Sequence, residues 1–297
     1  MDFVVSVKVL PAHGETVLGQ NFQMIPGGKG ANQACAAGRL ISEGARVRMI
    51  GRIGHDVFGD HLKASLSAAG VDVSAVTQSR SQPTGVALIA VESSGQNTIV
   101  VASGANMDMP AADVEAMRRV FRGNTVALFQ LESPLETVKA ALALAREEGL
   151  TTILDPAPAQ PLANDLLSQV DILTPNEVEA LGLLGRTASR LTPREAAPIA
   201  EELRARGPRR VILKLGDQGC FASDGETAAH YPGFRVDAVD ATAAGDTFNA
   251  GLAVGLSEGM SFADAIRMAN AAAAISVMRR GAQSSAPSRA EVDALLG

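Results

Sequence analysis

TVALFQLESPLETVKAALALAREEGLTTILDPAP, Thr125 to Pro158, decides the fold class. TVALFQLE (125–132) is an apolar run that predicts a buried strand ending on the charged Glu132. SPLE (133–136) has the spacing of a capping box and predicts a helix from there to near Gly149. TTILDPAP (151–158) predicts the next strand, its exit marked by prolines. Outward from this unit the pattern repeats. VDILTPNE (170–177) predicts a third strand running into a turn, and RRVILKLG (209–216) a fourth. Between them TPRE (192–195) is a second capping box with Pro193 at the first helical position, although Pro198 is expected to disturb that helix. Strands alternating with helices imply parallel pairing through right-handed crossovers. The expected fold is therefore α/β, a doubly wound and mostly parallel sheet, with ligands at the carboxyl ends of its strands.

Residues 1–103 read differently. VVSVKVL (4–10), ETVLGQNF (15–22), TGVALIAVE (84–92) and NTIVVA (97–102) resemble hairpin strands, with SSGQ (93–96) as a turn. GGKGANQACAAGRL (27–40) and DVFGDHLKASLSAAG (56–70) are helical in pattern. The expected organisation is a small β lid made of residues 1–24 and 83–103 on a core made of 25–82 and 104–297.

Composition narrows the function classes. Of the 297 residues, 46% are hydrophobic, ample for a large core, and 29 are glycine. A net charge of −6 with no basic block argues against nucleic acid, which is bound through clustered Lys and Arg. No apolar run reaches the roughly 20 residues needed to cross a bilayer, and the start, MDFVVSVKVLPAHG, does not read as a signal peptide. Cys35 and Cys220 are too few for a disulfide framework, so a cytoplasmic location is expected. The histidines His13, His55, His61 and His230 show no metal-ligand spacing and are taken as surface or structural residues.

Three stretches carry chemistry. In DATAAGDTFNAG (240–251), small residues entering a helix leave backbone N–H groups open to an anion such as phosphate. Asp246 would repel that anion, but it suits a neighbouring neutral hydroxyl whose proton it accepts. In PGGKGANQ (26–33), two glycines free the backbone, and Lys29 and Asn32 stand one turn apart on one helical face, placed to bind hydroxyls or an anion. This is not a Walker A motif. In TPNEVE (174–179), Asn176 and Glu179 are spaced to orient waters around Mg²⁺. Each stretch taken singly also fits an ordinary turn or a helix start with favourable acids.

In this order, PGGKGANQACAAGRL, QLESP, LDPAP, TPNEVE, VILKLGDQG and DATAAGDTFNAG resemble the ribokinase/PfkB family of sugar kinases over nearly the whole chain. The resemblance implies a Rossmann-like core with a small β lid, and ATP-dependent phosphorylation of D-ribose at O5. It implies Asp246 as catalytic base and the backbone of Ala243, Ala244, Gly245 and Asp246 as the anion hole. Asp2, Gly28, Lys29, Gly30, Asn32 and Glu132 would hold the pentose. Asn176, Lys214, Leu215, Gly216, Asp217, Gln218, Gly219, Gly245 and Asn270 would border ATP, with Glu179 organising Mg²⁺ through water. Asp240, Thr242, Ser276, Arg279, Gly281 and Ser285 would hold a monovalent cation, K⁺, several of them through carbonyls. A homodimer through the lid is implied as well. An unperturbed Asp has a pKa of about 3.9, so Asp246 is expected to be ionised at neutral pH.

Two departures from the family pattern stand out. The anion-hole text is AAGD where GAGD is commoner. The chain begins at Met1-Asp2, without the usual first strand and its N-x-D Asn, a strand expected to be central in the sheet and to leave its neighbours unpaired when missing. A start placed too far downstream, with a natural protein about 13 residues longer, is the expectation; an intact mass equal to that of 297 residues would exclude it. The alternatives are a kinase of the same fold for another sugar or nucleoside, and a non-catalytic, truncated sugar-binding protein.

Overall fold

The computed structural model describes residues 1–94 and 96–297. The expected turn at 93–96 therefore lies partly outside the described residues, at Gly95. In chain order the elements begin with β1 (Asp2–Val7), β2 (Gln20–Ile25), α1 (Lys29–Leu40), β3 (Val47–Arg48) and β4 (Gly51–Ile53). Next come α2 (Val57–Ala68), β5 (Val71–Asp72), β6 (Val76–Gln78), β7 (Val86–Glu92) and β8 (Asn97–Ala102). After two short helices, α3 (Ala112–Ala116) and α4 (Arg118–Phe121), the alternating region begins with β9 (Val126–Phe129), α5 (Leu135–Glu147) and β10 (Thr151–Leu154). It continues with α6 (Asn164–Leu167), β11 (Ile172–Leu173), α7 (Glu177–Leu183), α8 (Pro193–Arg204), β12 (Arg210–Lys214), β13 (Cys220–Ser223) and β14 (Ala228–Tyr231). The helices α9 (Ala244–Ser257), α10 (Phe262–Ser276) and α11 (Arg289–Leu296) complete the order.

The main sheet has the order β14-β13-β12-β11-β10-β9. Strands β9 to β12 are mutually parallel, and β13 and β14 add an antiparallel edge. Alternation along the parallel strands explains why the sheet is doubly wound. Ile153, Ile172 and Ile212 pack with Phe248, Leu252 and Ile266 of α9 and α10. Leu154, Leu173 and Leu213, one residue on, pack with Leu142, Ala180 and Leu203 of α5, α7 and α8. Neighbouring side chains on a strand point to opposite faces, so each Ile-Leu pair serves both layers. All six are fully buried, each contributing roughly 1.5–3 kcal/mol.

A separate four-stranded sheet, β2-β1-β7-β8, is built from strands β1 and β2 at the start of the chain and from the strands β7 and β8. Two short parallel pairs, β3–β5 and β4–β6, accompany it. Within the main sheet β9 has a strand partner on one side only. Along its other edge opens a cavity of about 540 Å³, with Leu128 and Gln130 on one wall and Val47 and Met49 on the other.

Several local expectations need correction. Residues 15–19 form no strand, and β2 starts at Gln20. SPLE is not a capping box: Pro134 is the N-cap residue of α5 and no side chain caps the helix, because Ser133 lies one position too early. Pro198 does not end α8. It sits on the exposed face, where water can solvate the carbonyl that its missing N–H leaves free. The Thr192–Glu195 box does form.

Candidate active site

The site is assembled where α9 meets α1 and the carboxyl ends of β9, β10 and β12. The chain enters α9 through Ala243, which holds φ 58° and ψ 16°. This left-handed conformation costs a residue with a Cβ roughly 1–2 kcal/mol. The N–H groups of Ala243, Gly245 and Asp246 have no backbone or side-chain acceptor among the described residues, whereas Ala244 N–H is donated to the Ala241 carbonyl at 3.2 Å. The turn thus consumes one of the four amides expected in the anion hole and leaves three.

Asp246 follows, only 6% exposed. Its carboxylate faces α1: Asn32 Nδ2 donates to Oδ2 at 3.0 Å and Gln33 Nε2 donates to Oδ1 at 2.9 Å. Burial pushes its pKa up to about 6; the Lys29 ammonium opposes this and the Asp155 carboxylate adds to it. The ordinary carboxylate value expected from sequence is corrected accordingly. Burial also acts to lower the Lys29 pKa, but Asp246, Asp155, Glu132 and Glu179 outweigh it and hold the ammonium above its usual range. Beside Asp246, Asn32 Oδ1 is buried without a hydrogen-bond partner. An orphaned acceptor costs about 1–3 kcal/mol, which a hydroxyl donor would remove.

The remaining candidates for the sugar converge on the same end of α1. Gly28 holds φ 94° ahead of the helix, a conformation that suits glycine. Lys29 N–H donates to Glu132 Oε2 at 2.9 Å, pinning the acid that follows β9 to the helix start. Burial raises the pKa of Glu132 and that of Asp2. The Asp2 carboxylate lies against Gly27, where a Cβ would clash with Oδ2. Gly30 packs beside Gln130.

The candidate nucleotide residues form a second group. Asn176 and Lys214 are joined by a parallel bridge, and Lys214 Nζ lies 3.4 Å from where a Cβ on Gly245 would stand. Leu215 to Gly219 close a tight turn through Leu215 N–H and the Gly219 carbonyl, with Gly216, Asp217 and Gln218 between. Asn270 donates to the carbonyls of Tyr231 and Pro232 at 3.3 and 3.4 Å. Asn176 and Glu179 form a capping box at the start of α7. Burial raises the pKa of Glu179, with Lys214 opposing.

The cation candidates are only partly gathered. Asp240 accepts from Thr242 N–H at 2.9 Å and from Gly281 N–H at 2.9 Å, and its own N–H is donated to the Val277 carbonyl next to Ser276. The Arg279 guanidinium turns to Glu291 and the Ser285 hydroxyl to the Ala282 carbonyl, so neither side chain joins Asp240. No group of three or more His, Cys, Asp and Glu side chains able to hold a metal occurs among the described residues.

The profile of the pfkB family carbohydrate kinases matches residues 1–289. The chain belongs to this family. It is 43% identical over 290 residues to the ribokinase of Haemophilus influenzae, covering 98% of this chain and 93% of that protein. Among solved structures it resembles the ribokinase of Thermotoga maritima (TM-score 0.89, 37% identity, 99% and 95% of the two chains). It also resembles the Arabidopsis thaliana ribokinase complexed with ribose and ATP (TM-score 0.89, 32% identity, 99% and 95% of the two chains).

For a pfkB-family carbohydrate kinase, three buried or half-buried polar groups here were not singled out from sequence: Gln33, Gln130 and Asp155. Asp155 is 2% exposed and pairs with Lys214 Nζ at 2.9 Å, while Gln33 receives a hydrogen bond from Gln130. One signal was present. Gln130 and Asp155 each directly follow a strand, after VALF and TTIL, at the carboxyl edge where such sheets bind ligands.

Proposed function

We propose that the protein transfers the γ-phosphoryl group of ATP to O5 of D-ribose, giving ribose 5-phosphate and ADP. The observation that carries the reading is Asp246: a buried carboxylate poised near neutrality, next to both an orphaned amide oxygen and three unclaimed backbone donors. The Asn32 and Gln33 amides hold its oxygens in place. With the sugar hydroxyl against Asp246, the oxygen forms its bond to the γ-phosphorus while the bond to the β–γ bridging oxygen breaks. The hydroxyl proton passes to Asp246 and ADP leaves with the electron pair. General-base assistance supplies about 10²–10⁴-fold. Each donor of the cradle formed by Ala243, Gly245 and Asp246 is worth about 3–4 kcal/mol. Positioning accounts for the rest, as a loose transition state requires.

Glu179 and Asn176 satisfy one another within the capping box, so a Mg²⁺ carried by the nucleotide would meet Glu179 through water. Asp240, Thr242 and Gly281 offer the oxygen donors that suit K⁺. When bound, these cations neutralise phosphate charge beside the cradle.

The four-stranded sheet is read as a lid and as the contact between two subunits. Phe22, Met24, Val100 and Val101 of its edge strands are more than half exposed, and apolar surface of that kind marks an interface. No helix among the described residues is long and apolar enough to cross a membrane. The buried free thiols of Cys35 and Cys220 suit a reducing cytoplasm.

ATP consumption measured over ribose, deoxyribose, fructose and adenosine, with and without K⁺, tests the assignment. Ribose is expected to be the best acceptor; a poor rate with ribose would overturn it.

A further inference from the structure

A chain of buried polar groups links the two ends of the transfer. Asp155 N–H is donated to the Phe129 carbonyl, which continues the β9–β10 ladder one residue past the strand and fixes where the side chain starts. Asp155 Oδ1 accepts from Lys214 Nζ at 2.9 Å and Oδ2 accepts from Gln33 Nε2 at 3.0 Å. The same Gln33 nitrogen donates to Asp246 Oδ1 at 2.9 Å. Gln130 donates to Gln33 Oε1, which settles the orientation of the Gln33 amide, since only its NH₂ end can serve two carboxylates. At the other end the Lys214 ammonium faces Gly245 at the start of α9.

An ion pair this buried is a weak source of stability, because removing both charges from water costs about as much as their attraction returns. Its position says more than its energy. The pair lies between the amide that grips the base and the ammonium beside the phosphate cradle. We propose that Asp155 is a positioning residue for phosphoryl transfer: it anchors Lys214 as a positive charge at the cradle and, through Gln33, aligns Asp246 with the sugar hydroxyl. This rests on the assignment of Asp246 as the base. The charged groups that act on Asp246 are Lys29 on α1 and Asp155 after β10; Glu132 after β9 and Glu179 on α7 act on Lys29, and Lys214 at the end of β12 acts on Glu179. Asp155 adds to the upward shift of the base.

Asp155→Asn and Lys214→Met, made in the full chain, give opposite signatures. Both lower kcat by about 10²-fold, with the KM for sugar within about threefold of wild type. Asp155→Asn moves the acid limb of the pH–rate profile below its wild-type position, since a negative charge that raises the Asp246 pKa leaves. Lys214→Met moves it up, since a positive charge leaves. ¹³C NMR titration of the Asp246 carboxylate in the same proteins reads those displacements without any substrate. A wild type inactive on ribose would thus count against the functional reading alone. A structural pair would lower the melting temperature of both variants and leave kcat where it was, and that result overturns the proposal. If Asp155→Asn does not fold, the fall of kcat in Lys214→Met decides alone, and an unchanged kcat overturns the proposal equally.

Discussion

Burial of the Asp246 carboxylate costs stability at neutral pH. Its folded pKa of about 6 lies above the ordinary 3.8, so the native state holds this proton more tightly than the unfolded chain does. Stability from this group is therefore full below pH 3.8 and is lost as pH rises through about 6. Asp246→Asn is expected to abolish turnover and retain sugar binding. It should also melt higher than wild type at pH 8, by the equivalent of about 1–3 kcal/mol, and the gap should close as pH falls toward 4. Melting curves across pH check this; a gap that widens on acidification would contradict the burial of an ionised carboxylate. Asp246 stood out in AAGD as a candidate, but its pKa could not be read there, because desolvation depends on what α1 lays over it. Ala243 was equally opaque: nothing in AAGD reveals a left-handed residue. Ala243→Gly relieves that strain while adding glycine's own entropic cost. The expected net gain is about 1 kcal/mol or less, with kcat essentially kept, as thermal melts and initial rates would show.

At the scale of elements, α9 and α10 pack through small residues. A Cβ on Gly251 would come 3.0 Å from Ala269 Cα, and one on Gly255 would come 3.1 Å from Ala265 Cα. Gly251→Val should therefore cost about 1–3 kcal/mol through overpacking and lower the melting temperature by several degrees; an unchanged melt would mean that the two helices can separate freely. The strands of the alternating region were legible because buried apolar runs bounded by turns are a strong local signal. Their ends were overestimated: TVALFQLE and TTILDPAP yield strands only over Val126–Phe129 and Thr151–Leu154. The excess residues, among them Gln130, Glu132 and Asp155, belong to the site. SPLE failed for a related reason, since four letters at the right spacing do not say which residue the backbone makes the N-cap.

The whole molecule joins a sheet with both faces covered to a sheet whose outer strands are exposed. Phe22→Asp combined with Val101→Asp is expected to convert a dimer into monomers without unfolding the core, as light scattering coupled to size exclusion would report. A monomeric wild type would remove the lid contact from the proposed function. Strands in the stretches 1–24 and 83–103 could be expected from sequence, but their interleaving as β2-β1-β7-β8, with β1 parallel to β7, could not. Register between strands some 85 residues apart is a tertiary choice.

Local chemistry, read from order and spacing alone, determined the α/β class and the helix start at Thr192, and singled out residue types suited to a phosphoryl group and a hydroxyl. Those properties depend on neighbours within a few positions. The tertiary structure alone decided which polar groups meet. Gln33 reaches Asp155 across 122 positions and Asp246 across 213, and Lys214 reaches Asp155 across 59. Electrostatic environment sums over all groups brought close by folding, whatever their distance along the chain, so the acidity of Asp246 could be known only once the helices and strands were in place.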